Sequence, residues 1–324
     1  MKVVLSVDVE SWPLDWRADA AQWLQDVERC VWGRGVSGEP VGLGFQLARL
    51  AHYGLTAVFF VEPLFAERVG LDALRRIVDA IQAGGHEVQL HPHTEWLEPV
   101  RQARLAQPGE FVRGCRLHHF SATEQGEILD RGLALLRDAG AAPVTAFRAG
   151  SFGADDHTLT LLAARGVGVD SSLDQAYLGR DCVVSAPPDA RAPFVHPSGV
   201  IEAPVNGFED RPGHWRHLQL TACSAGEMTA MLDQAQRSGW RWVMTLSHSF
   251  ELMNGMRTRV DPLMLRRFDQ VCAFLARHRE RMHTVGFAQL QTEDWAHQPP
   301  PLRSHRGRTA WRMVEQAARR LWRG

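Results

Sequence analysis

The chain is almost devoid of lysine: among its 36 basic residues Lys2 is the sole lysine, and all the others are arginine. A Schiff-base enzyme needs a lysine amine inside its site, and a phosphate-loop NTPase needs a lysine in its glycine-rich loop. Both classes are therefore excluded. An excess of charge is lacking too, because the formal net charge of the 324 residues is −1. We therefore expect no binding to nucleic acid or to an acidic polymer through bulk charge.

Cysteine is scarce and scattered. The sequence contains Cys30, Cys115, Cys182, Cys223 and Cys272. Because their number is odd and no two form a CxxC pair, neither a disulfide framework nor a cysteine-based zinc site is expected. The first residues, MKVVLSVDVESW, include an acid by position eight and do not resemble a secretory signal. No stretch approaches the roughly 20 apolar residues of a membrane span. Scattered free thiols suit a reducing compartment, so we expect a cytoplasmic location.

Strand-like and helix-like segments alternate along the chain. Hydrophobic residues make up 45% of the sequence, which is enough to bury a large core. The length fits one domain of barrel size, or two small ones. Roughly seven strand–helix units without an internal repeat predict an α/β protein with a parallel sheet, open or closed into a barrel. The predicted strands are 2–7, 56–61, 87–90, 144–147, 167–169, 200–205, 242–246 and 283–287. The predicted helices are 43–53, 72–83, about 121–139, 155–165, about 224–238 and 262–277. Residues 12–40 and 178–199 are interpreted as irregular, the first as a long loop with a helical turn.

Polar side chains follow the predicted strands at the point where each strand ends. These residues are Asp8, His91, Arg148, Asp170 and His248. The active sites of barrels and open α/β sheets form at the carboxyl edge of the strands. We therefore expect these five side chains to converge, although any one of them alone could be a loop residue.

Two short motifs supply carboxylates and imidazoles. Asp8 and Glu10 straddle the end of the first strand, and an extended backbone points residues i and i+2 the same way. His91 and His93 share a face in the same manner, and Glu95 follows two residues later. Neutral imidazoles beside carboxylates form a ligand set for zinc or another divalent transition metal. The alternatives are a solvated strand end and a His-rich surface loop.

Two further motifs indicate catalytic chemistry. In Arg148-Ala-Gly-Ser-Phe-Gly153, a glycine-flanked loop could aim a backbone N–H at an oxyanion, near Ser151 or Phe152. Arg148 could hold a carboxylate in its charged state; the alternative is an ordinary turn with a structural arginine. His248, with an unperturbed pKa of about 6.5, could donate a proton to a leaving group. It could also be a hydrogen-bonded core histidine.

Two other patterns lead to no function. Ser247 and Ser249 flank His248, but no GxSxG motif accompanies them, so a serine hydrolase is not expected. Gly33–Gly38 matches GxGxxG by letter. It follows no clear strand and precedes Pro40, which indicates a loop.

Taken in order along residues 1–294, these motifs resemble the polysaccharide deacetylase superfamily with a NodB-homology domain, which includes carbohydrate esterase family 4. The variant with HxH followed by Trp is similar to deacetylase-like proteins of bacterial surface-polysaccharide clusters. The resemblance implies a distorted (β/α)7 barrel over residues 1–297. Two departures stand out: the first motif reads Asp-x-Glu rather than Asp-Asp, and the family's second histidine falls at Glu95.

The resemblance also implies roles for these residues. Asp8 corresponds to the catalytic base, Arg148 to its ionising partner and His248 to the general acid, which Asp170 could tune. Glu10 and His91 correspond to metal ligands, with His93 as the third and Glu95 as the runner-up; zinc is the expected metal. The implied reaction removes an N-acetyl group from a sugar, free or within a lipid-linked O-antigen or capsule precursor. Trp12 and Trp96 adjoin the motifs and could stack on the sugar, beside Ser151 and Phe152.

Residues 298–324 form a separate segment. A Pro-rich linker precedes Leu302–Gly324, which carries seven Arg and one Glu. Trp311, Val314, Ala318 and Leu321 fall on one helical face. We interpret this segment as a basic amphipathic helix that rests weakly on an anionic inner membrane surface, or else lies on the barrel or in a dimer contact.

Three other functions remain open. A metal-dependent amidase could act on a small non-sugar amide. A glycosidase is a poor fit, because acids two residues apart on one strand face do not flank a sugar bond. A non-catalytic sugar-binding protein with a decayed metal site would show neither bound metal nor acetate release.

Overall fold

The computed structural model describes residues 1–13, 15–34, 38, 41–106, 114–188, 190–255, 257–294 and 299–322. The strands are β1 (Lys2–Val9), β2 (Val58–Val61), β3 (Glu87–Leu90), β4 (Ala146–Phe147), β5 (Val169–Asp170), β6 (Phe194–Val195), β7 (Ile201–Glu202), β8 (Gly207–Arg211), β9 (His214–His217), β10 (Trp242–His248) and β11 (His283–Thr284). The helices are α1 (Ala20–Val31), α2 (Leu43–Tyr53), α3 (Ala66–Val69), α4 (Leu71–Ala83), α5 (Glu98–Ala106), α6 (Ala122–Asp138), α7 (Asp156–Ala163), α8 (Ala225–Arg237), α9 (Pro262–Arg277) and α10 (Arg306–Trp322).

Seven parallel strands form the central sheet, in the order β10-β1-β2-β3-β4-β5-β7. Strand β6 adds to β7 in the antiparallel sense, and β11 pairs with the beginning of β1. The residues after β7 turn back towards β10, where the N–H of Asn206 donates to the carbonyl of Met244 at 3.3 Å. The sheet is therefore curled into a barrel whose last gap is spanned by irregular backbone.

Side chains of β1 alternate between the two layers of the core. Val3, Leu5 and Val7 belong to the large apolar cluster that joins the sheet to the helices, whereas Val4 belongs to the cluster of strand residues inside the barrel. Because side chains alternate along a strand, residues in phase with Val4 also face inward. Asp8 lies in this phase and is buried. The strand thus delivers a carboxylate to the inner carboxyl edge.

The sequence predicts most elements correctly. Helices α2 and α9 and strand β3 have the predicted bounds, and β1, β10 and the other helices differ by a few residues at their ends. The capping boxes at Ser121 and Ser224 are both present, each with its glutamate three residues later. One prediction is wrong: residues 20–31 form the full helix α1 and not a turn within a loop. Asp19 caps that helix, and its buried face includes Trp23 and Val27. The β8–β9 hairpin is missed altogether.

The C-terminal segment forms the predicted helix α10, which lies against α8 and β8. The predicted boundary between barrel and linker, at residues 297 and 298, lies outside the described residues, as do three of the six residues of the predicted GxGxxG loop at 33–38. Among the described helices, none combines the length and the apolar character needed to span a bilayer.

Candidate metal centre and active site

The predicted site residues converge at the carboxyl edge of the barrel. Asp8 on β1 is the register partner of His248 on β10, which places the two side chains on neighbouring strands. Glu10 follows β1, His91 follows β3, and Arg148 follows β4. The convergence expected from the strand-end pattern is therefore present for Asp8, His91, Arg148 and His248, and Asp170 lies elsewhere in the interior.

Three buried side chains form a compact donor cluster. The Nε2 atom of His91 lies 3.1 Å from Oε2 of Glu10 and 3.2 Å from Nε2 of His93, and His93 also contacts Glu10 directly. One ligand atom from each residue lies within 4.8 Å of the others. Glu10 and His91 are thus close enough to share one ion, as the sequence-based hypothesis requires.

Hydrogen bonds on the far side of each ring orient the two imidazoles. Nδ1–H of His91 donates to the backbone carbonyl of Arg148 at 2.9 Å. Nδ1–H of His93 donates to the carboxylate of Glu95 at 3.2 Å. Both rings then present an Nε2 lone pair to the cluster. Metal-binding histidines typically donate their other ring N–H to carbonyl or carboxylate acceptors of this kind. Glu95, the runner-up ligand, therefore supports His93 rather than joining the donor set.

The donor set fits a small divalent cation. For Zn–N bonds of about 2.0–2.1 Å, ligand atoms of a tetrahedral site lie roughly 3.3 Å apart, close to the 3.2 Å between the two Nε2 atoms. Burial would lower the pKa of His93, but Glu10 and Glu95 raise it well above its ordinary value of 6.5. Burial would raise the pKa of Glu10, but His93 and His91 hold it well below 4.5. The negative charge that stabilises a protonated His93 would equally stabilise a bound cation.

Asp8 is held by a fully buried arginine. The guanidinium of Arg148 donates to Oδ1 of Asp8 at 2.5 Å, and it also donates to the hydroxyls of Ser6 and Ser171 and to the carbonyl of Ser171. Its positive charge also lies over the ring of Phe60, 4.1 Å from the centroid. Oδ2 of Asp8 remains directed towards His91 and His248, at 3.8 and 3.7 Å. One carboxylate oxygen is thus fixed and the other faces the donor cluster.

His248 completes the polar cluster from β10. Nδ1–H of His248 donates to Glu251 at 3.0 Å, and Nε2 lies 3.7 Å from Asp8 and 3.8 Å from Glu10. Burial would lower the pKa of His248, but the charge and hydrogen bond of Glu251, together with Glu10 and Asp8, raise it to about 9. The ring is therefore charged near neutral pH and directs an N–H towards the donor cluster. Gln219 also donates to Glu251.

The predicted role of Asp170 is wrong. Asp170 is buried beside Glu202, and its carboxylate accepts from the hydroxyl and backbone N–H of Ser172. Ser172 in turn accepts from the N–H of Ala149. Burial and the neighbouring Asp170 raise the pKa of Glu202 well above its ordinary value. The partner of His248 is Glu251, three residues along the chain, which sequence reasoning missed. The spacing H-x-x-E, with both residues on the turn after a strand, is the signal that could have revealed it.

The loop after β4 has an unusual backbone. Ser151 and Phe152 have φ values of 53° and 59°, in the left-handed region that non-glycine residues seldom adopt. Strain of this kind concentrates at functional sites. The N–H of Phe152 donates to Ala149, whereas the N–H of Ser151 has no acceptor among the described residues. Of the two candidates for an oxyanion-binding N–H, Ser151 is therefore the available one.

Two cavities meet at the donor cluster, and Glu10, His93 and Ser151 line both of them. The first cavity, of about 240 Å³, is also lined by His248 and by Phe152, whose ring stacks on Tyr177. The remaining polar walls were missed by sequence reasoning and consist of Arg116, Asp181 and Gln219. Asp181 and Arg116 form an ion pair at 2.9 Å. They come from segments far apart in sequence that have no strand-end pattern, so only the folded chain brings them together.

The two predicted tryptophans have different environments. Trp12 lines the second cavity beside Trp16, with Arg257 over its ring at 4.1 Å. Trp96 is buried, packs edge-on against Trp23 and Phe65, and donates its indole N–H to the carbonyl of Ser11. The prediction that Trp96 stacks on a sugar is therefore wrong, because its ring faces belong to the core.

Comparison with solved structures identifies similar folds. A Mycobacterium smegmatis protein described as a polysaccharide deacetylase matches with a TM-score of 0.54 and 18% identity, over 94% of this chain and 93% of that one. A family 4 carbohydrate esterase from Streptomyces lividans, solved with acetate, matches with a TM-score of 0.44 and 10% identity, over 94% of this chain and 98% of that one. A family 4 carbohydrate esterase pseudoenzyme from Bacillus anthracis matches with a TM-score of 0.43 and 11% identity, over 94% of this chain and 69% of that one.

No protein-family model and no curated protein matches the sequence. The match to the M. smegmatis structure extends over nearly the whole of both chains, so the two proteins have similar folds. The curled sheet of seven parallel strands agrees with the barrel implied by the motifs. The chain therefore has the NodB-type (β/α)7 fold of the polysaccharide deacetylases.

Proposed function

We propose that the protein is a metal-dependent hydrolase that removes an N-acetyl group from a sugar. One observation carries the proposal: the donor cluster of Glu10, His91 and His93 lies in one buried site. On its two sides are Asp8, to which Arg148 donates, and His248, which donates to Glu251. Such a set provides a cation site, a base and an acid, with 3.7–3.8 Å between Asp8, His248 and the donor cluster. Metal-assisted hydrolysis of an amide uses these three groups.

Each residue of the chain has a distinct part in the proposed mechanism. Glu10, His91 and His93 would hold the cation, with zinc the metal that best suits one carboxylate and two imidazoles. When bound, a cation of this kind polarises a carbonyl and lowers the pKa of water. Asp8 accepts the proton of the attacking water on Oδ2, while Arg148 keeps Oδ1 occupied. His248 then gives its Nε2 proton to the departing sugar nitrogen.

The loop after β4 contributes without side-chain chemistry. The N–H of Ser151 donates to the oxygen that becomes negative when water attacks the acetyl carbon. Phe152 and Tyr177 form an apolar wall that suits the acetyl methyl group. Trp12, with Trp16, offers aromatic surface to a sugar ring in the adjoining cavity.

We further propose that the substrate is an N-acetylated sugar used in bacterial surface polysaccharide synthesis, such as a lipid-linked glycan, and that the protein acts in the cytoplasm. The motif variant that resembles surface-polysaccharide deacetylases supports the first statement. The five buried free thiols support the second, since such thiols persist in reducing compartments.

The variant Asp8→Asn tests the assignment of the base. The amide cannot accept a proton, so acetate release from N-acetylated sugars should fall by at least about 10²-fold. Metal content, measured on purified protein, should stay near the wild-type value because Glu10, His91 and His93 are intact. Asp26→Asn, which changes a buried aspartate of α1 outside the cluster, serves as the control for burial. Wild-type turnover in Asp8→Asn would show that another group is the base.

The same measurements separate the rival functions. A wild-type protein without bound metal and without acetate release would support a non-catalytic sugar-binding protein. Release of acetate from simple amides, with no preference for sugars, would support an amidase.

A further inference from the structure

Helix α10 faces the barrel with its polar side. Arg312 is buried and donates to Asp210 at 2.9 Å, and the guanidinium of Arg319 donates to Asp261 at 2.5 Å. Arg267 of α9 reaches Glu315 at 2.6 Å. The helix is therefore attached to the body of the protein by ion pairs, three of whose members lie on its inner face.

The opposite side of α10 is apolar and exposed. Trp311, Met313 and Val314 are 60%, 60% and 58% exposed, the highest values among the exposed large hydrophobic residues of the described chain. Ala310, Ala317 and Ala318 extend the same surface. A surface helix ordinarily turns its apolar stripe to the core and its charges to water. Here the arrangement is reversed, and an exposed apolar patch of this kind marks an interaction site.

The charge around this outward face is positive. Arg306, in the first turn of α10, is exposed and has no acidic partner among the described residues. Arg308 is exposed too, but it lies four residues before Arg312 and so belongs to the inner side of the helix. The sole acid of Leu302–Gly324 is Glu315, which Arg267 and Trp311 already engage. The outward face thus combines an apolar stripe that includes a tryptophan with a basic end. This combination favours the interface of a membrane that contains anionic lipid.

We propose that α10 binds the surface of an anionic lipid bilayer, with Trp311, Met313 and Val314 entering the headgroup region and Arg306 contacting lipid phosphate. A second copy of the chain is the less favourable occupant, because twofold pairing would bring like charges together. The stripe of one helix is also small beside the roughly 800 Å² per partner that a stable dimer buries. The proposal concerns a surface outside the cavities, so it does not depend on the reaction.

Vesicle flotation tests the proposal with the full chain. Vesicles of phosphatidylcholine mixed with phosphatidylglycerol should carry the protein upward, and pure phosphatidylcholine vesicles should carry at least about tenfold less, because the basic end needs anionic lipid. High salt should weaken the binding. Val314→Glu should reduce flotation by at least tenfold. Val195→Glu is the matched control, because Val195 on β6 is 56% exposed and lies far along the chain from α10; it should float like the wild type.

Thermal melting of each variant confirms that it is folded, and Arg306→Glu separates the charge from the apolar contribution. Equal flotation of Val314→Glu and the wild type would overturn the proposal, as would no flotation of the wild type. Sedimentation equilibrium gives a third outcome: a wild-type dimer that Val314→Glu dissociates would assign the surface to a second copy. None of these readouts involves acetate release, so the proposed enzymatic function stands or falls separately.

Discussion

His248 lies between carboxylates on two sides. Glu251 accepts from its Nδ1–H, and Asp8 and Glu10 lie 3.7 and 3.8 Å from its Nε2. A general acid must be protonated at the working pH, and a free imidazole with a pKa near 6.5 would be mostly neutral above pH 7. In the proposed mechanism Glu251 is therefore a positioning residue, because its hydrogen bond orients the ring and its charge keeps the ring protonated.

Glu251→Gln should shift the pH profile of acetate release. The pKa of His248 is raised to about 9, chiefly by the charge of Glu251. Removing that charge lowers the pKa, so the acid form is lost at lower pH and the alkaline limb of kcat/KM should move down by at least about one pH unit. Glu251→Asp keeps the charge, so the alkaline limb of its kcat/KM profile should stay at the pH of the wild type. An unchanged limb in Glu251→Gln, with lower activity at all pH values, would indicate a purely structural role.

The sequence predicted the residues that stand at strand ends and missed those that do not. Asp8 and His248 lie at the ends of strands, and Glu10, His91 and Arg148 directly follow strands, so the topology alone brings them to one edge. The wall residues have no such marker: Arg116 follows residues 107–113, Asp181 lies in an irregular segment, and Gln219 follows a hairpin. Trp96 adjoins a motif and is therefore predicted to contact the substrate, yet adjacency in sequence does not determine which way a ring packs.

Among the elements, long periodic helices were predicted well, and short or polar ones were not. Helix α1 was hidden in a segment whose ends are rich in Trp, Gly and Asp, although Trp23, Val27, Cys30 and Val31 share one buried face. The hairpin of β8 and β9 consists largely of charged and His residues, with no alternating apolar pattern to reveal it. Such a hairpin is stabilised by contacts with the rest of the chain, which a local pattern does not report.

The adjoining strands β5 and β7 bury two acids side by side. Asp170 and Glu202 are register partners, and no ion pair joins either of them to a cation among the described residues. Burial and the neighbouring Asp170 raise the pKa of Glu202 well above 4.5. The folded protein therefore binds a proton here that the unfolded chain releases near its ordinary carboxyl pKa. The resulting stability is fully present below that value and is lost as pH rises through the raised pKa of the folded state.

Glu202→Gln should remove this pH dependence. The neutral amide needs no proton, so the free energy of unfolding should decline less between about pH 5 and pH 9 than it does in the wild type, by about 1.4 kcal/mol for each unit of raised pKa. Urea unfolding across that range measures the slope. Glu280→Gln, at an exposed position, should leave the slope unchanged. Parallel slopes for Glu202→Gln and the wild type would show that Glu202 is ionised in the folded protein.

Across the whole molecule, the barrel brings together residues from both ends of the chain. Glu10 lies near the N-terminus, His91 and His93 follow the third strand, and His248 ends β10, more than two hundred residues after Glu10. A cation held by Glu10, His91 and His93 would therefore cross-link β1 to β3 in the folded state alone. A ligand that binds the folded but not the unfolded chain stabilises the fold by mass action. Metal occupancy should thus be visible in global stability, without any substrate.

Adding Zn²⁺ to metal-stripped protein should raise Tm, with a gain in stability of about 2.7 kcal/mol when the free metal exceeds Kd a hundredfold. The gain should shrink as pH falls, because His93, whose pKa is raised well above 6.5, must lose its proton to bind the ion. His91→Ala should abolish most of the gain. His214→Ala, a half-buried histidine of β9 outside the cluster, should keep it. Differential scanning calorimetry measures all three proteins, and an equal Zn²⁺-dependent rise in His91→Ala would place the bound ion somewhere other than the barrel edge.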